Sequence, residues 1–121
     1  MSDTRKQYNQ ILDHCKELFL RKNEDYGPSW KLFRPSSLTD QIYIKAQRIR
    51  NIEETGKNAV GDDIKSEFIG IVNYWIIALI QLDWIKNNID SENIKTISDS
   101  YDFWSSKTRD LMLLKNTDKP H

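Results

Sequence analysis

The sequence predicts an all-α fold, a bundle of four to five helices, on three observations. No segment sustains the apolar–polar alternation of a strand. Apolar residues recur instead at steps of three and four, and Gly and Pro fall between those runs. A first helix is expected from about residue 5 to 23, because Tyr8, Ile11, Leu12, Cys15, Leu18 and Phe19 share one face. Gly27 and Pro28 end it: glycine takes the left-handed turn beyond a helix, and proline cannot continue one. Residues 28–37 read as an irregular linker carrying Trp30, Phe33 and Arg34. Ser37 or Thr39 then caps a second helix, with Ile42, Ala46 and Ile49 inward and Gly56 at its end.

Gly61-Asp62-Asp63 opens a third helix near 62–86, its acids complementing the dipole at the N-terminus. Ile64, Phe68, Ile71, Val72, Trp75, Ile76, Leu79 and Leu82 step along it, and Ile69, Ile77 and Ile80 fill the gaps. A helix apolar on nearly every side needs partners all round, from its own chain or from a second copy. Asn87, Asn88 and Asp90 break it. A short connection bearing Ile94 and Ile97 leads to a last helix over about 99–115, built on Trp104, Thr108, Leu111 and Met112.

Composition narrows the function classes. Eighteen basic and 18 acidic side chains leave the 121 residues with no net charge, which argues against an extended nucleic-acid surface. With 38% hydrophobic and 11% aromatic residues the chain is not of the disordered class. Cys15, the single cysteine, forms no intramolecular disulfide. The N-terminus lacks the apolar core of a signal peptide, and the uncharged run from Phe68 to Leu82 is shorter than the roughly 20 residues that cross a bilayer. A cytoplasmic protein without a membrane partner is expected.

Candidate chemistry falls in three places. The segment Lys22-Asn-Glu-Asp-Tyr-Gly-Pro-Ser-Trp30 reads either as an ordinary helix ending or as a ligand loop. In the second reading Asp25 meets a metal or a base amino group, and Tyr26 or Trp30 stacks on the base. The second helix carries Asp40, Lys45, Arg48 and Arg50. Folded as a hairpin with the third, it sets Arg48 opposite Glu67, either as a solvated ion pair or as a phosphate clamp of Lys45 and Arg48. Asp63 and Glu67, four apart, share a helix face and could hold a magnesium ion through oxygen. Asn73 sits in the apolar run and needs partners in the core or in a site. His14 and His121 make poor nucleophile pairs, and no Gly-rich phosphate loop is present. For an enzyme, metal-assisted hydrolysis by carboxylates is the route that remains.

Three strings carry a family resemblance: Lys22 to Trp30, Pro35 to Glu54, and Glu67-Phe-Ile-Gly-Ile-Val-Asn-Tyr74. Together they resemble the nucleotide modification associated domain, type 1, a family related to the MazG-like all-α pyrophosphohydrolases. The resemblance implies a helical domain with a nucleotide-binding cleft, linked to nucleotide or DNA-base modification. It implies hydrolysis of a nucleoside triphosphate to monophosphate and pyrophosphate where the metal site is intact, with magnesium as cofactor held by Asp40 and Glu67. MazG-like enzymes use Glu-x-x-Glu on one helix and Glu-x-x-Asp on the next. Here Glu67 fits the first position of the second motif, Gly70 stands in place of its aspartate, and the second helix offers Lys45 and Arg48. Basic residues there favour direct contact with phosphate.

Members of this family commonly hold two tandem copies. A shift of 93 residues pairs Tyr101 with Tyr8, Leu111 with Leu18, Asn116 with Asn23 and Asp118 with Asp25. This suggests a unit over 1–98 followed, over 99–121, by the first helix of a second. The expected site therefore comprises Glu67 and Asp63 as catalytic carboxylates, with Lys22, Asp25, Tyr26, Trp30, Lys45, Arg48 and Asn73 binding the nucleotide. The alternative is a non-catalytic interaction module. In either case a homodimer or larger assembly is expected through the third and fourth helices.

Overall fold

The computed structural model describes residues 2–56 and 64–118. They form α1 (Ser2–Tyr26), a single 3-10 turn (Ser29–Leu32), α2 (Pro35–Thr55), α3 (Ile64–Asn87) and α4 (Ile94–Asp118), with no strand among the described residues. The fold is all-α.

Two boundaries differ from the sequence expectation, each for a local reason. α2 starts at Pro35, ahead of Ser37 and Thr39. Proline suits the first turn of a helix, where its missing N–H costs nothing, and the Thr39 hydroxyl donates back to the Pro35 carbonyl at 3.1 Å instead of capping. α4 starts at Ile94, not near 99, because Asn93 Oδ1 accepts from the backbone N–H groups of Lys95 (2.8 Å) and Thr96 (3.4 Å). Ile94 and Ile97 are therefore helical, and Ile97 is fully buried. The glycine endings hold: Gly27 (φ +68°) follows α1, and Gly56 (φ +67°) closes α2 with its N–H on the Ile52 carbonyl at 2.8 Å. The acids Asp62 and Asp63, expected to open α3, lie outside the described residues.

α3 is the central helix. Its Ile76, Ile77, Ile80 and Trp84 meet Phe19 of α1, Trp30 of the 3-10 turn, Leu38 of α2, and Ile97 and Tyr101 of α4. Each such side chain contributes roughly 1.5–3 kcal/mol by leaving water. A row of rings crosses this core: Tyr101 on Phe19 (4.9 Å between centres), Phe19 on Trp30 (5.7 Å) and Trp30 edge-on to Trp84 (5.5 Å). Gln81 is one of the polar residues buried beside this core. Its buried side-chain amide donates to the carbonyls of Trp30 (2.8 Å) and Phe33 (2.9 Å), fastening the α1–α2 connection to α3.

The chain covers only part of α3. Phe68, Trp75, Leu82 and Ile85 remain about half exposed or more, with the first three spaced by seven residues. α3 is long and apolar enough to cross a membrane, with a mean hydropathy of 1.6 in its most apolar window. It is also the helix on which every other element packs.

Candidate functional site

α2 and α3 run antiparallel: Arg48 in the C-terminal half of α2 faces Glu67 near the start of α3, while Phe33, two residues before α2, meets Gln81 toward the end of α3. With α1 and the 3-10 turn they enclose an open cavity of about 650 Å³. Its side chains divide by chemistry. Lys45 and Arg48 from α2, Lys65 and Glu67 from the start of α3, and His14 and Lys22 from α1 supply charge or ionisable groups. Phe19, Trp30, Phe33 and Tyr74 supply aromatic surface. Four cations against one carboxylate, with His14 aside, make the described lining net positive in a chain that is neutral overall.

Glu67 anchors the charged end. It is buried, its side chain 3% exposed, and its two oxygens face different cations: Lys45 Nζ at 3.4 Å from Oε2 and Arg48 at 3.6 Å from Oε1. The Lys45 side chain is mostly covered while that of Arg48 is half-exposed, so the first pair is shielded from water and the second is partly screened. Lys45 also lies 6.0 Å from the centre of the Tyr74 ring, within range of a cation–π contact. Gly70, one turn beyond Glu67, leaves the room in which the lysine stem lies.

Asn73 connects the cavity to the core. Its Nδ2 donates to the Cys15 carbonyl at 3.1 Å, and its Oδ1 accepts from the Tyr101 hydroxyl at 2.6 Å. Burial pushes the Cys15 thiol up to about 11 and raises the Tyr101 hydroxyl further, with negative charge at Cys15 and Asp102 adding to the latter. Both groups stay protonated at neutral pH, and the Tyr101 O–H is a fixed donor. Asn23 does a similar service for Trp30, accepting its indole N–H at 2.9 Å.

The structure brings Lys22, Trp30, Lys45, Arg48, Glu67 and Asn73 to this one cavity. Trp30 is a wall there, 5% exposed between Phe19 and Trp84, and not an open platform. Asp25 and Asp40 are exposed on α1 and α2 and do not line the cavity. Tyr26 is the last residue of α1, and Asp63 lies outside the described residues. The expected carboxylate pair of Asp40 and Glu67 is not assembled: α2 turns Lys45 and Arg48 toward Glu67. Among the described residues no three His, Cys, Asp or Glu side chains come together to hold a metal ion. Magnesium is commonly held through one or two carboxylates together with waters and the substrate's own phosphates, and Glu67 is the described carboxylate of this lining.

Several lining residues escape sequence reasoning. Phe19 and Phe33 carry the ordinary signature of core and linker, and Lys65 that of a solvated helix start. Gly70 has a signal, a glycine within a helix, where it weakens the helix and needs a packing reason.

No curated protein and no solved structure matches this chain. One family model does, over residues 22–82, a stretch that runs from Lys22 through Lys45, Arg48 and Glu67 to Leu82 and so contains most of the cavity lining. The chain belongs to the family of nucleotide modification associated domain 1.

Proposed function

We propose that the cavity binds a nucleotide or nucleoside phosphate. The observation that carries this is the Lys45–Arg48 pair on Glu67, opening on a net-positive cavity whose remaining wall is aromatic. Lysine and arginine are the side chains that meet phosphate, the second with a planar fork. Phe33 and Tyr74, whose ring centres are 6.4 Å apart and which are more exposed than Trp30, offer the surface for a base. The volume suits a small-molecule ligand, and the family description points the same way. In this reading Lys45 and Arg48 hold phosphate, Lys22 and Lys65 widen the positive field, and Asn73 orients the ligand from the cavity wall.

Kinship with MazG-like pyrophosphohydrolases would add hydrolysis to monophosphate and pyrophosphate, with Glu67 the one described carboxylate at hand. A panel of ribo- and deoxynucleoside mono- and triphosphates separates the steps, read by thermal shift and by pyrophosphate release. A shift without release supports a binding domain, and release supports an enzyme. No shift and no release across the panel refutes the nucleotide reading.

A second reading rests on α3. Phe68, Trp75 and Leu82, each about half exposed, repeat every seven residues, the spacing by which one helix meets another. We infer a homodimer through this face, compatible with ligand binding in each copy. Light scattering giving a monomer mass at micromolar concentration overturns it.

A further inference from the structure

The cationic end of the cavity is built around a glycine. A Cβ at Gly70 would stand 2.6 Å from Cε, 2.7 Å from Cδ and 3.0 Å from Nζ of Lys45. Those separations lie inside van der Waals contact, so any side chain at 70 displaces the lysine. With glycine there, the lysine stem lies against the α3 backbone. Its ammonium is set 3.4 Å from Glu67 Oε2 and within cation–π range of Tyr74, with Arg48 on the other carboxylate oxygen. Three neighbours on one helix thus fix the position of one α2 ammonium. A dication bound to Glu67 would compete with an ammonium and a guanidinium already facing both oxygens. No other described side chain of the lining is a carboxylate.

Resting on the nucleotide reading, we propose that Lys45, seated on Gly70, takes the place of a divalent cation at this site. With Arg48 it neutralises the ligand phosphate directly, and binding needs no metal. Gly70 is then a specificity-determining residue: it touches no ligand, yet it decides whether the floor of the cavity presents an ammonium. The carboxylate of Glu67 keeps the two cations apart and aimed, leaving their remaining N–H donors for phosphate oxygens.

Calorimetric titration of nucleoside mono- and triphosphates in excess EDTA, and again in excess magnesium, tests this. Gly70→Ala and Lys45→Met are titrated alongside, their folding checked by helical circular dichroism. At least one nucleotide should bind, with dissociation constants that agree within about threefold between the two conditions. Lys45→Met and Gly70→Ala should each weaken it about tenfold or more while remaining helical. Binding that requires magnesium overturns the inference and leaves the nucleotide reading standing, as does binding untouched by either substitution. No binding in either condition refutes both. The EDTA comparison uses the unaltered chain, so it decides whether a metal is needed even if a variant fails to fold.

Discussion

Replacing Glu67 by Gln keeps the side chain's shape and removes one negative charge from beside Lys45 and Arg48. At 3.4 Å and an effective dielectric of about 20, the Lys45 pair is worth roughly 5 kcal/mol before desolvation. Burying the carboxylate offsets most of that, and the half-exposed Arg48 adds little because water screens it. The net loss in the free protein should be about 1–3 kcal/mol, or about 4–12 °C in Tm for a domain of this size. Ligand binding should move the other way. A phosphate roughly 6 Å from the lost charge, at an effective dielectric near 40, gains about 1.4 kcal/mol, or about tenfold in affinity. Thermal unfolding with and without nucleotide reads both numbers: Glu67→Gln should melt earlier alone and show a larger ligand shift. Loss of the ligand shift would refute the counter-ion assignment and point to a direct ligand or metal contact. A free-protein Tm at or above that of the unaltered chain would refute the stabilising role of the pair.

Three further predictions follow from the packing. Asn73→Ala should destabilise by about 2 kcal/mol and Tyr101→Phe by about 1, because the first orphans a fully buried hydroxyl and the second leaves an amide oxygen that cavity water can reach. In urea titrations the double variant should fall short of the sum, and additivity would show that the two do not interact. Cys15 holds its proton to about pH 11 in the fold against 9.0 unfolded, so the unfolded chain loses the proton first and stability falls as pH rises between those values. The loss is roughly 2–3 kcal/mol, and Cys15→Ala should flatten that decline; an unchanged alkaline slope would contradict it. Gln81→Leu should cost about 2 kcal/mol by stranding the Trp30 and Phe33 carbonyls, and should raise amide exchange across residues 28–34 before the helices.

Helix positions were legible because helical periodicity depends on neighbours a few residues apart. The stripes of Tyr8 to Phe19 and Ile42 to Ile49 placed α1 and α2 without tertiary information, although Ala46, expected inward, is exposed, and α1 extends three residues beyond each expected end. The start of α4 was misplaced because its apolar stripe is weak at Ile94. The cue was the cap at Asn93, a polar residue in a polar run. The Arg48–Glu67 contact could be read from hairpin geometry alone. Glu67 could not be read as the partner of two cations, nor Asp40 as exposed, because the rotation of α2 about its axis decides which side chains face α3. Gly70 looked like a missing aspartate, and its positive role emerges only once the Lys45 stem lies over it. Trp30 drew attention as a stacking surface because exposure is a property of the fold and not of the residue.

The short hydrogen bond from Tyr101 to Asn73 also bears on where the family's unit ends. The matched stretch, 22–82, holds Asn73 but neither of its partners, Cys15 on α1 and Tyr101 on α4. A fragment trimmed to the recognisable residues would keep most of the cavity's charged side chains and lose both halves of the clasp behind its wall, and one cut at the expected boundary after residue 98 would lose the Tyr101 half. Excising the matched piece would yield a site with its chemistry present and its backing removed. Fragments meant for ligand studies should therefore carry α1 and α4 through Tyr101, because what identifies this domain and what holds it in shape are different stretches of the same chain.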